Sequence, residues 1–430
     1  MEKFLQYVWQ NRLWMPLSLS TTDGLPVKVL DPGWLNKDAG PDFFNAKIII
    51  GEQEWVGNIE VHVKASDWYR HSHQYDRLYD SVILHVVSEN DATVTRLNGL
   101  PVPQVVVKCT EQTVEMYDKL EKAGELDLIC ASTIPNIPSI YLTDWVDSLG
   151  FERIYEKVER FQRHLANFYN DWEQALYVTL ARALGFGHNG EMLERVAKSL
   201  PLNILRKHRD NLLSLEAMFL GQAALLPDVS PEPYVQQMID EYKFMAVKFS
   251  LRQPEGIAWQ MGRMRPQNLP YRRLAVLAAL INREPRLFSR IMDCRSMEDL
   301  REIFRFDLTG YWATASSVYS HTGLSPLSLS DSSIDVIIIN VVAPLFYAYG
   351  EYTGSGEYTE RAVDLLNMIS PEHNSIVSMF TRAGIKCSSA FHSQALIRLR
   401  RSYCEQRKCL FCRIGHHMMK ATTDQAKCQP

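Results

Sequence analysis

The sequence predicts an α/β domain followed by a mostly α-helical region, and three observations carry that division. Between Leu25 and Val107 the chain reads as short apolar runs, PVKVL, AKIII, NIEVHV, SVILHVV, TVTRL and PQVVV, separated by Gly, Asn and Asp turns. From Thr143 onward the period is helical, as in WVDSLGFERIYEKVERFQRHLANFY and LSLEAMFLGQAALL, with apolar residues recurring at i, i+3, i+4 and i+7. Between them, EQTVEMYDKLEKAGELDL has a helical period and the proline-interrupted ASTIPNIPSIY reads as a connector. The expected organisation is a mixed α/β domain over 1–130 and an α-helical region with a Cys-rich end over 131–430. A further sub-boundary is expected near 252–270, where RMRPQNLP interrupts the helices.

Each element follows from its residues. MEKFLQYVWQNRLW alternates charge and apolar side chains as an amphipathic first helix, and has neither the apolar core nor the cleavage site of a secretory signal. The apolar stretch Ile334 to Ala348 is interrupted by Asp335, Asn340 and Pro344 and falls short of the roughly 20 residues of a bilayer span, so no membrane segment and a cytoplasmic location are expected. A net charge of −4 provides no global attraction for phosphate backbones or acidic membranes. Contact with DNA or RNA would therefore require a local patch. The candidates are Arg263, Arg265, Arg272 and Arg273 beside Tyr271, and Arg400 and Arg401 beside Tyr403; the competing reading of each is a solvated helix face.

The densest group of chemically capable residues lies between Asp42 and His85. A period of two over Asn58–Lys64 puts Ile59, Val61 and Val63 on one face and Glu60, His62 and Lys64 on the other. Asp42 precedes AKIII, which can form a hairpin with NIEVHV through GEQEW and bring its carboxylate near Glu60. Paired carboxylates on adjacent strands suit Mg²⁺ or Mn²⁺, and a basic group beside them, His62 or Lys64, can orient or deprotonate a water. His71, His73, Asp76 and His85 follow as auxiliary ligands or acid/base groups. Four of the twelve histidines fall between His62 and His85, against about 0.7 expected from uniform placement. The structural alternative assigns Asp42 to a turn cap, His85 to the core, and His71 and His73 to an exposed helix start.

This layout resembles the PD-(D/E)xK nuclease superfamily over the first 110 residues or so. Pro41-Asp42 opens the second strand of a hairpin, Glu60-Val61-His62 occupies the third strand, and a helix and the strand SVILHVV follow. The chain departs from that pattern at the lysine, which is His62 here. The resemblance implies a restriction-endonuclease-like mixed sheet and a divalent-metal-dependent nuclease-like phosphodiesterase. Two alternatives stand beside it: a non-catalytic protein- or nucleic-acid-binding scaffold built on a degenerate α/β domain, and a His-rich transition-metal hydrolase or cupin-like enzyme. Against the His-x-His-x-Asp of metallo-β-lactamase-like hydrolases, Asp76 stands one place too far along.

At the other end, YCEQRKCLFCRIGHH places Cys404, Cys409 and Cys412 in a C-x4-C-x2-C spacing whose last pair suits tetrahedral Zn²⁺, with an iron–sulfur cluster as an alternative. His416, Cys387, His392 and Cys428 are candidates for the fourth ligand, and unligated buried thiols are the alternative to any metal. Taken together, DAGPDF, GNIEVHVKASDW, HSHQYD, VILHVV, the helical body and the closing cysteines resemble an uncharacterised bacterial domain-of-unknown-function family over nearly the full chain.

Overall fold

In the computed structural model the described residues are 2–14, 18–36, 39–109, 111–122, 128–321, 323 and 325–427. Cys428 lies outside them. The chain divides into two compact units. The first comprises Met1–Trp145, Arg382–Ile385 and Leu399–Pro430; the second comprises Val146–Thr381 and Lys386–Arg398. The Cys-rich end therefore belongs with the sheet, where composition alone had assigned it to the helical region.

In the first unit, helix α1 (Glu2–Asn11) buries Phe4, Leu5, Tyr7, Val8 and Trp9. A mixed sheet follows, built from β1 (Leu19–Ser20), β2 (Pro26–Asp31), β3 (Trp34–Leu35), β4 (Phe43–Ile50), β5 (Gln53–Lys64), β6 (Val82–Glu89) and β7 (Gln104–Val106). The strand order is β1-β2-β4-β5-β6-β7, with β3 paired to β4. β4 and β5 form an antiparallel hairpin in which Ile50 faces Gln53 across Gly51 and Glu52, and Gly51 takes the positive φ of 63° that so tight a turn requires. β6 then runs parallel to β5, with Glu60 opposite His85 and His62 opposite Val87.

That parallel step positions the candidate site. Parallel neighbours cannot be joined by a hairpin, so the chain must cross one face of the sheet to restart β6. The crossover holds α2 (Asp67–Arg70) and two 3₁₀ turns, His73–Tyr75 and Arg77–Ser81, and it lays His71 and His73 over the face that carries Glu60 and His62. The opposite face, with Ile59, Val61, Leu84 and Val86, packs under α1 as the main core of the unit. The run TVTRL, expected as a strand, folds instead as a loop around Asn98 and Gly99. Val102 N donates to Val94 O at 3.0 Å, and the Arg96 guanidinium holds Val82 O at 2.7 Å. The sheet edges also meet, through a Thr21–Val105 bridge and a 2.9 Å bond from Thr22 N to Gln104 O.

The unit continues through α3 (Glu111–Lys122) and the start of α4 (Ser139–Asn167). It ends on the C-terminal helix Arg413–Lys427.

Among its described residues the second unit is helical apart from connecting loops, an isolated Asp307–Leu327 bridge and one small hairpin, Ala315–Ser317 with Ser320–His321. Its centre is the helix Leu212–Gln222, apolar on all sides and buried from Ser214 to Gln222. Its helix starts follow sequence rules: Asp171 and Asn211 cap with their side chains, and Ser296 with Asp299 forms a capping box. Residues Asp331–Thr353 form one helical stretch, long and apolar enough to cross a membrane by length and composition, with 72% of that window buried inside the protein. It outruns the sequence-based expectation because Pro344 stands at the start of the segment Ala343–Thr353, just after a π-helical turn at Ile338–Val342. There the missing N–H of proline costs little.

Candidate functional site

Glu60 and His62 alternate outward from the core face of β5 and are nonetheless buried, at 4% and 1% exposure. The crossover covers them. Trp68, fully buried on α2, anchors it: its ring packs 5.3 Å from His85, 5.4 Å from His73 and 5.8 Å from Tyr79. Tyr79 stacks on His73 at 3.7 Å. Ser72, at φ 62°, turns the chain so that His71 and His73, on either side of it, aim at the same point. Asp76 is used in this folding step, since its side chain accepts from Leu78 N at 2.9 Å and caps the next turn.

Four side chains converge. Glu60 Oε1 lies 3.3 Å from His62 Nε2 and 3.3 Å from His73 Nε2, while His62 Nε2 lies 3.1 Å from His71 Nδ1. Ligand atoms of His62, His71 and His73 all fall within 4.8 Å of one another. His73 Nε2 is buried and makes no hydrogen bond, despite its distance from Glu60. Donor atoms bound to a tetrahedral ion at 2.0–2.1 Å would stand about 3.3 Å apart, which is the spacing of the pairs Glu60–His62, Glu60–His73 and His62–His71. The site opens to solvent at His71, whose side chain is exposed.

His85 and Asp42 hold this group in place. His62 Nδ1 and His85 Nε2 are 2.9 Å apart. If His62 donates there, its Nε2 is left bare toward Glu60 and His71, the arrangement in which a ligating imidazole is fixed by a bond from its other nitrogen. Asp42 does meet Glu60: its backbone N donates to Glu60 Oε2 at 3.1 Å. Both Asp42 carboxylate oxygens are occupied, Oδ1 by Gln6 Nε2 at 2.9 Å and Oδ2 by Val61 N at 3.0 Å. Asp42 thus positions Glu60 rather than reaching the imidazoles. Gln6 was invisible to sequence reasoning, because nothing in α1 signals which of its polar residues turns inward.

Electrostatics follow from this crowding. Burial, then the charge of Glu60, raises Asp42 to about 7 against the opposing bonds from Gln6 and Val61. Burial raises Glu60 to about 8, opposed by the Asp42 N–H. Burial, then His85, His73 and His71, pushes His62 down to about 2; burial, then His73, pushes His85 to about 3. Burial disfavours the charged forms of His62, His73 and His85 and the carboxyls resist ionising, so a cation among them would relieve both.

Other expected residues lie elsewhere. Lys64 is half exposed and pairs with Glu89 at 3.2 Å, so it does not join Glu60 and His62. Arg272 and Arg273 are corrected from surface to interior, at 1% and 3% exposure. Arg272 Nη1 donates to Trp312 O at 2.7 Å and Nη2 to Ser325 O at 2.5 Å, leaving no surface for phosphate. Arg400 is buried and pairs with Glu405 at 3.3 Å, whereas Arg263, Arg265 and Arg401 are exposed. Cys404, Cys409 and Cys412 lie in the turns that lead into the C-terminal helix. His416 lies one turn along it, with its Nδ1 2.9 Å from Tyr7 OH. Cys387 and His392 belong to the second unit, where their partners are Ser389 and Asp147.

The fold and site define a class: a mixed α/β unit bearing a buried carboxylate–imidazole cluster, joined in one chain to an α-helical unit. The chain belongs to the family described as "Protein of unknown function (DUF2851)", whose model matches residues 2–375. No curated protein and no solved structure matches it.

Proposed function

We propose that the first unit is a metal-dependent hydrolase of the nuclease-like, phosphodiester-cleaving kind, with the metal held by Glu60, His62, His71 and His73. The supporting observation is the juxtaposition of Glu60 Oε1 with His62 Nε2 and His73 Nε2 at 3.3 Å and of His62 Nε2 with His71 Nδ1 at 3.1 Å, the three imidazoles offering ligand atoms within 4.8 Å of one another. Three imidazoles and one carboxylate favour a transition ion, Zn²⁺ or Mn²⁺, over the all-oxygen shell that Mg²⁺ prefers. Such an ion supplies Lewis-acid activation of water and of the scissile group. The chain's own residues do the rest: Asp42 fixes Glu60 through its backbone N–H, His85 sets the ring of His62, and His71 faces the solvent from which substrate arrives. The hairpin carrying Asp42 and Glu60, followed by a parallel strand, supports the phosphodiester assignment through its likeness to the nuclease superfamily.

The test is incubation of wild type and Glu60→Gln with single- and double-stranded DNA and RNA in Mn²⁺, Zn²⁺ or Mg²⁺. Cleavage by wild type in Mn²⁺ or Zn²⁺ is expected, falling about 100-fold or more in the variant. Metal binding without cleavage of any of these nucleic acids by either protein would overturn the hydrolase reading in favour of a binding module.

A further inference from the structure

The C-terminal cysteines have a companion from far away in the chain. Cys404 ends the π-helical turn Arg400–Cys404, Cys409 begins the 3₁₀ turn Cys409–Phe411, and Cys412 immediately precedes the C-terminal helix. Between them the backbone doubles back. Arg407 N donates to Cys404 O at 3.1 Å, Lys408 N to Tyr403 O at 2.8 Å and Cys412 N to Cys409 O at 3.1 Å, with Arg407 at a positive φ of 53°. Cys409 and Cys412 thus form a two-residue knuckle, the turn by which two thiolates reach one ion. Gly415 is required beside it, since a Cβ there would collide with the Cys409 carbonyl. The backbone N–H groups of Ile414 and Gly415 are directed at Cys412 sulfur, donors that favour its thiolate.

Cys130 sits on the 3₁₀ turn Ile129–Ser132, which packs against the C-terminal helix, and it shares an apolar neighbourhood with Cys409. Its thiol is close enough to Cys409 and Cys412 to feel their charges, as Cys404 feels those of Cys130, Cys409 and Cys412. All four are free. Burial keeps each of them from ionising and pushes Cys130 up to about 12, with repulsion from neighbouring thiols adding to it at Cys130, Cys404 and Cys409. The Arg400 guanidinium opposes this at Cys404. Thiols packed as plain hydrophobes explain the burial; they do not explain a knuckle with N–H donors aimed at its sulfur.

We infer that Cys130, Cys404, Cys409 and Cys412 are the ligands of a thiolate-bound metal centre, a Zn²⁺ ion or an iron–sulfur cluster, which ties the turn Ile129–Ser132 to the C-terminal helix. Four sulfur donors select these soft centres, and binding draws the sulfurs together and releases the thiol protons to solvent. Cys130 takes the place for which His416 was a candidate. This centre is separate from the imidazole cluster and stands whether or not that cluster is hydrolytic.

The test is the metal content of the full-length protein purified without oxygen, beside Cys130→Ser and, as a control in the second unit, Cys294→Ser. Wild type and the control are expected to carry about one zinc, or about two to four irons with visible absorption, in excess of Cys130→Ser. The thiolate-bound share should fall about tenfold or more in that variant. Equal metal in wild type and Cys130→Ser, or four thiols in wild type that all react freely with a disulfide reagent, overturns the proposal. Because a ligand variant can fail to fold, wild type is also loaded with Co²⁺. A strong near-ultraviolet thiolate-to-cobalt band supports the site, and weak visible bands alone, as from imidazole and carboxylate ligands, overturn it.

Discussion

The two units bury ionisable groups in opposite ways. In the helical unit Arg272, Lys157 and Glu216 are each matched to neutral partners. Arg272 is enclosed by the carbonyls of Trp312, Ala315 and Ser325, Lys157 donates to Ile339 O at 3.2 Å, and Glu216 accepts from Tyr234 OH at 2.8 Å. In the sheet-bearing unit Glu60, His62, His73 and His85 are buried chiefly against one another and against Asp42. A buried group satisfied by backbone or hydroxyl is scaffold, because the fold would lose a bond without it. A buried cluster whose members frustrate one another persists only if something outside the chain resolves it, which makes it a site.

The comparison can be broken most sharply by replacing one member of each set. Arg272→Met, which leaves several carbonyls buried without donors, is expected to cost the helical unit about 3–5 kcal/mol, read as a fall in the urea midpoint. Glu60→Gln, measured without metal, should leave stability unchanged or raise it by about 1–2 kcal/mol, since it replaces a buried carboxyl that resists ionising with a neutral amide and keeps an acceptor for Asp42 N. If both variants lose stability equally, the distinction between scaffold and site fails.

A smaller effect comes from Glu216, 2% exposed, which burial raises from the ordinary 4.5 to about 7. Its protonated form is favoured in the fold. The stability it contributes is therefore complete below pH about 4.5 and is lost as pH rises through about 7, in all about 3 kcal/mol. Denaturation of wild type and Glu216→Gln at pH 5 and pH 8 checks this. The gap between the two proteins should move in favour of the variant at pH 8; a gap that does not change with pH would count against it.

Much of this was legible in the chain. Period-two alternation over Asn58–Lys64 separated the core face from the one carrying Glu60 and His62, and the helical period marked out the second unit. The strand TVTRL was misread because apolar alternation also fits a loop pinned by Arg96 and Gln104. Arg272 and Arg273 looked like surface because charge in a helix usually is; for Arg272 the carbonyls of Trp312 and Ser325 make an interior guanidinium tolerable, and they come from distant sequence. Cys130 stood alone in the sequence for the same reason. Long-range partners leave no local signal.

Two further predictions sharpen the line between the cluster and its surroundings. His85→Leu removes the partner of His62 Nδ1 without touching the converging atoms, and should weaken Zn²⁺ or Mn²⁺ binding about tenfold in a chelator competition. Undiminished affinity would mean that the His62 ring needs no such anchor. The smallest effect is expected at Lys64, which sequence alternation places on the same face as Glu60 and His62. Its ammonium is half exposed and paired with the equally exposed Glu89, so the interaction is screened and weak. Lys64→Ala should change stability by less than about 0.5 kcal/mol and leave metal affinity where it was. A tenfold loss of metal affinity or of cleavage in that variant would show that Lys64 swings inward when substrate binds. The water-orienting role would then pass from the imidazoles back to the lysine.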